Sequence, residues 1–178
     1  MAEIYTKNEI ISSLNNSGQH AQAWFQAIPA DQFFTRQGEV WSASDNVDHM
    51  IRAIKPIAKA LKLPRVALQT LFGKPAKPSR TYDEICKIYG HEIANGARAS
   101  GSFLPDQETP ARAGEKKVEL LDQLSIALEK LVKAVVTWEE DHLDEAQLPH
   151  PIIGKITVRE MLFFTIHHNL RHASPQGD

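Results

Sequence analysis

Ahead of four stretches of the chain stands a Ser or Thr followed three positions later by an acid: Thr6 with Glu9, Ser42 with Asp45, Thr81 with Glu84, and Thr157 with Glu160. In such a capping box the hydroxyl accepts from the amide three residues on, and the acid accepts from the amide of the cap, so orphan N–H groups at a helix start are satisfied. Behind each box the apolar residues recur at threes and fours rather than alternating. That combination predicts an all-α chain.

The first helix is expected from about Lys7 to Ile28, ending before Pro29, with Ile10, Ile11, Leu14, Ala21, Trp24, Phe25 and Ile28 inward. A second should run from after Ser42 to about Leu61, with Val47, Met50, Ile51, Ile54, Ile57, Ala58 and Leu61 on one side, and with Pro56 inside it marking either a kink or an early end. A third needs no box: Val118, Leu121, Leu124, Leu128, Leu131, Val135 and Trp138 form a bundle seam. The fourth starts at Thr157 and shows Val158, Met161, Leu162 and Thr165 on one face. Between the second and third, residues 63–114 hold five of the ten prolines. One short helix, Tyr82 to about Ala94, is expected there, with loop elsewhere. The segment lacks apolar residues for a core of its own, so it reads as a crossover within a single domain, 1–178. The fold class is a four-helix bundle with a long crossover.

Composition then narrows the function. Lys plus Arg number 20 against 22 Asp plus Glu, a net charge of −2, which argues against a nucleic-acid or anionic-membrane surface. No apolar run approaches the roughly 18 residues of a membrane span. The start, MAEIYTKNEI, lacks the basic and apolar regions of an export signal, so a cytoplasmic protein is expected. The single cysteine, Cys86, excludes an internal disulfide and cysteine-based zinc motifs; it shares a stripe with Tyr82, Tyr89 and Ile93 and reads as a small buried hydrophobe. Lys74, Lys77 and Arg80 read as a solvated basic loop, with contact to an anionic cofactor the lesser alternative. Serine-hydrolase and phosphate-loop patterns are absent.

Eight histidines are the unusual supply of reactive side chains. His168 and His172 stack one helical turn apart and continue the inward stripe of Met161 and Thr165, so they can bind a divalent metal together. On spacing alone such pairs are more often core-edge histidines bonded to their neighbours. His167 points about 100° away. A third ligand must come from another helix. His49, beside the apolar stripe of the second helix, is the best candidate, with a surface histidine as the plainer reading. Asp45, one turn earlier, could orient it, though capping is its first role. His150, between Pro149 and Pro151, reads as shaping the loop before the last helix, with a place near a metal the lesser alternative. His20 and His142 read as solvated, and His91 sits where a cation suits a helix C-terminus.

Two stretches carry a family resemblance. The run Trp41-Ser42-Ala43-Ser44-Asp45-Asn46-Val47-Asp48-His49 resembles the "WSxxE/D…H" opening of the DinB-like (YfiT-like) bundle proteins. The run His150-Pro151-Ile152-Ile153-Gly154-Lys155-Ile156-Thr157-Val158-Arg159-Glu160-Met161-Leu162 is similar to that family's "HPxxGxLTxxEwL" entry to the last helix, and His168 and His172 match its closing HxxxH. The resemblance implies a divalent metal (zinc, nickel or iron) held by His49, His168 and His172. It also implies a metal-dependent enzyme, either a transferase using a low-molecular-weight thiol such as bacillithiol, mycothiol or glutathione, or a hydrolase, acting on a small-molecule electrophile. The rival expectation is a non-catalytic metal-binding or dimerisation module linked to stress. A homodimer is expected because exposed faces of such bundles often pair. The crossover matches no thiol-binding motif.

Overall fold

The computed structural model describes residues 6–174, so the first five of the ten N-terminal residues read for export lie outside the described residues. The chain runs α1 (Lys7–Ala27), α2 (Ala30–Phe33), α3 (Ala43–Ala60), α4 (Arg65–Phe72), α5 (Tyr82–Ala94), a 3-10 turn (Gly101–Phe103), α6 (Ala113–Val136), α7 (His142–Glu145), strands β1 (Gln147–His150) and β2 (Gly154–Thr157), and α8 (Val158–His172). The fold is predominantly α-helical. Helices α1, α3, α6 and α8 form the bundle: α6 packs on α1 and α3, and α8 packs on the same pair from the other side. No described helix is long and apolar enough to cross a membrane.

All four capping boxes are made, on α1, α3, α5 and α8. In the four bundle helices Ile10, Leu14, Met50, Ile54, Leu124, Leu131 and Leu162 are fully buried. Each is worth about 1.5–3 kcal/mol on leaving water. That scale explains why α3 runs through Pro56 to Ala60: Ile57, Ala58 and Leu61 lie beyond the proline and are all buried, which offsets the roughly 3 kcal/mol penalty of an interior proline. Trp138, just past α6, donates from its indole N–H to the carbonyl of Leu61 at 2.9 Å, satisfying the end of α3. Gly18 lets α1 approach α6 closely, since a Cβ there would lie 2.9 Å from a Leu128 methyl.

Several expectations are corrected. Val118 is 54% exposed, not part of the seam. The inward place one residue earlier belongs to Lys117, whose buried ammonium donates to the carbonyls of Gln26 at 2.8 Å and Ile28 at 2.6 Å and so caps the end of α1. Residues 63–114 contain α4 and the 3-10 turn as well as the expected α5, which spans Tyr82–Ala94. Strands β1 and β2, too short to show alternation, form an antiparallel hairpin that pairs His150 with Gly154 and Gln147 with Thr157. Gly154 has φ +81°, a conformation other residues rarely adopt. Arg80 is not a solvated loop residue: its backbone N–H and Nε donate to the buried carboxylate of Glu160 at 2.8 and 2.7 Å. Beside it Asp144 accepts from Ser79 and from Arg159. These bonds clamp the crossover and α7 to the N-terminus of α8, which aims the rest of that helix into the bundle.

Candidate metal centre

The capping box at Ser42 starts α3 so that Asn46 and His49, one turn apart, face α8. From α8, His168 and His172 face back. The three histidines are each at most 7% exposed. Nε2 of His168 lies 3.0 Å from Nε2 of His49 and 3.1 Å from Nε2 of His172. One ligand atom from each ring falls within 4.8 Å of the others, so the group could hold a metal ion.

The outer nitrogens set the tautomers. Nδ1–H of His49 donates to the carbonyl of Phe103 at 2.7 Å. Since a carbonyl only accepts, the proton is on Nδ1 and Nε2 carries a lone pair. Asn46 donates from Nδ2 to the carbonyl of Ser42 at 2.9 Å, which turns its Oδ1 toward His172. Nδ1–H of His172 donates to that oxygen at 2.6 Å, so its Nε2 also presents a lone pair. Two lone pairs therefore aim at Nε2 of His168, which can give a proton to only one of them. A cation among the three nitrogens resolves that repulsion, and the donor set fits one.

The charge balance agrees. Burial is the main reason that His49, His168 and His172 are held below the ordinary imidazole range, far below for the last two, and for those two the neighbouring histidines add to it. Three neutral rings are the protonation state that metal ligation requires. Asp45 does not orient His49: its carboxylate takes the Ser42 amide and the Nε of Arg36, at 2.8 and 2.6 Å. His167 lies outside the group. Trp41 supplies a wall, its ring near parallel to His172 at 6.3 Å between centroids and 5.0 Å from that of His49.

A cavity of about 360 Å³ opens against His49 and His168, with Trp41, Ile57, Ile93, Leu104, Met161 and Phe164 among its apolar walls and Glu39 and Arg98 also on its lining. The last two are exposed. His150 is on that lining too, so it is both the turn-shaping residue expected and a neighbour of the triad. His20 is exposed, His91 lies in the last turn of α5, and Cys86 is half-buried with burial pushing its thiol up. Residue spacing had not pointed to Asn46 or to the carbonyl of Phe103. A polar Asn on an otherwise apolar helix face was a usable signal; a backbone carbonyl gives none.

Comparison with known proteins agrees with this architecture. The sequence model of the DinB family matches residues 4–174. The uncharacterized protein YuaE of Bacillus subtilis (strain 168) is 26% identical over 136 residues, covering 76% of this chain and 75% of that protein. No solved structure matches the chain. With a family match spanning both ends of the bundle and the three histidines between them, the chain belongs to the DinB family.

Proposed function

We propose that His49, His168 and His172 hold a divalent metal and that the protein is a metal-dependent enzyme transferring a small electrophile to a low-molecular-weight thiol, or to water. The observation that carries this reading is the pair of Nε2 lone pairs, fixed by Phe103 and Asn46, converging on His168 at the wall of an apolar cavity. A divalent cation in a site of three neutral imidazoles supplies a Lewis-acid centre that lowers the pKa of a thiol or water at its open position. The chain's own residues do the rest. Trp41 covers the rings of His49 and His172 and keeps water off that side. The apolar walls hold the carbon skeleton of the electrophile and exclude competing solvent. Arg98, exposed on the lining, offers a cation to the carboxylates that small peptide thiols carry; Arg80, engaged by Glu160, cannot.

The test uses zinc-, nickel- or iron-loaded protein with 1-chloro-2,4-dinitrobenzene and a panel of thiols. In that reaction the thiol sulfur bonds the ring carbon, chloride leaves and the thiol proton passes to solvent. Thiol-dependent turnover that disappears on chelation is expected. Stoichiometric metal with no turnover, by thiol or by water on an activated ester, would leave a metal-binding module.

A positioning role for Asn46 is tested separately. Asn46→Ala removes the acceptor of His172 Nδ1–H, and the metal should bind about 10- to 100-fold more weakly in competition with a chromophoric chelator. Unchanged affinity would reduce Asn46 to a packing residue.

A further inference from the structure

His150 is gripped by its own hairpin. Its Nδ1 accepts from the backbone N–H of Ile152 at 3.1 Å and of Ile153 at 3.0 Å. A nitrogen that accepts carries no proton, so the neutral ring carries its proton on Nε2, across the ring from the turn. The side chain is only 6% exposed. It stands edge-on to Phe164 at 4.2 Å between centroids and to Tyr89 at 6.3 Å, both of which also line the cavity. Among the described residues nothing hydrogen-bonds Nε2. Burial pushes the pKa of the ring down to about 4, which keeps it neutral at physiological pH. The result is an oriented N–H donor without a protein partner, on the lining of a mostly apolar cavity that also reaches His49 and His168. In such cavities a few placed polar groups decide which ligand binds and which way round.

We propose that His150 is a specificity-determining residue whose Nε2–H hydrogen-bonds an acceptor oxygen, as in a carbonyl or epoxide, on an otherwise apolar substrate. The proton stays on His150. The hydrogen bond fixes the oxygen end against β1 and leaves the carbon skeleton toward the triad. This rests on the functional reading above only in taking the cavity as the substrate site; it requires no metal.

Two probes of the same shape separate the oxygen from the hydrocarbon: acetophenone, and α-methylstyrene, in which a CH₂ replaces the carbonyl oxygen. Two variants separate the two ring nitrogens. His150→Asn places an amide oxygen where Nδ1 was, keeping the turn, and has nothing at Nε2. His150→Gln places an amide N–H near Nε2. In metal-free protein, H150N should bind acetophenone about tenfold more weakly than the parent and α-methylstyrene within twofold, and H150Q should recover part of the loss. In the parent, acetophenone should move the His150 Nε2–H proton resonance downfield, and α-methylstyrene should not. The resonance needs no variant, so it decides the matter even if H150N fails to fold. Equal losses for the two probes, an unmoved resonance, or failure of both probes to bind at millimolar concentration would each overturn the proposal. Repeating the titrations with zinc, with metal content measured on the same samples, keeps the two readings apart. A protein that takes no metal but still discriminates the probes retains His150 as donor and loses the metal centre.

Discussion

Alanine at His168 is expected to abolish metal binding while the bundle still folds. His168 is the hub of the triad, at 3.0 and 3.1 Å from the other two Nε2 atoms, so its loss leaves two nitrogens on different helices with nothing between them. Losing an outer partner of a metal ligand already weakens binding about 10- to 100-fold, and losing a ligand should exceed that. Elemental analysis of protein purified without an affinity metal column should give near-stoichiometric metal in the parent and almost none in His168→Ala, His49→Ala or His172→Ala. A second readout separates lost ligation from a damaged fold. At a free metal concentration 100 times Kd, a ligand that binds only the folded state adds about 2.7 kcal/mol. For a chain of this size that raises the parent's Tm by roughly 5–10 °C. The variant should melt cooperatively at one temperature with or without metal. Undiminished metal in His168→Ala would remove the centre as assigned.

Acidification should destabilise the metal-free protein sharply, and in a window that identifies the cause. Burial lowers the pKa values of His49, His150, His167, His168 and His172 in the folded state, with Arg171 also acting on His167 and His172. The unfolded chain has ordinary imidazoles, so below about pH 6.5 it binds protons that the folded protein refuses. The stability from keeping these rings neutral is therefore complete above pH 6.5 and falls as the pH drops toward the folded values. With a folded pKa of about 4, His150 alone removes about 2 kcal/mol by pH 5. The other four rings act in the same direction, against a net stability of only about 5–15 kcal/mol for a typical domain. Carboxylates do not mimic this. Burial works against the ionised forms of Asp45 and Asp144, but their bonds to Arg36 and Ser42 and to Arg159 and Ser79 outweigh it and hold them below the usual range. Their contribution is lost only at lower pH. Urea titrations at pH 8, 6.5 and 5 should show little change over the first interval and a steep fall over the second, and bound metal should delay the fall because it competes with protons for the same nitrogens. A flat profile from pH 7 to 5 would mean that the rings are hydrated and protonated in the folded state.

What the amino-acid sequence determined by itself is the part written in short-range patterns. Helix starts at Thr6, Ser42, Thr81 and Thr157 were legible because a capping box is complete within four residues. The inward stripes of α1, α3 and α8 follow from helical period. His168 and His172 were placed together by that period, and the motif around Trp41 and His49 supplied the third member. Even there local pattern had limits: Val118 fits the seam of α6, yet Lys117 takes the inward place because two carbonyls at the end of α1 need a donor, some 90 residues away along the chain. The tertiary structure alone decided how the site is tuned. The proton on His49 is fixed by a carbonyl 54 residues downstream in the crossover, and that of His172 by Asn46, 126 residues upstream. A carbonyl belongs to every residue and marks nothing in the sequence; Asn46 shows there only as a polar residue on the buried face of α3, which does not name the ring it will bond. Side-chain periodicity reports which face of an element is buried; which lone pair faces which proton depends on contacts that exist only after the helices have packed.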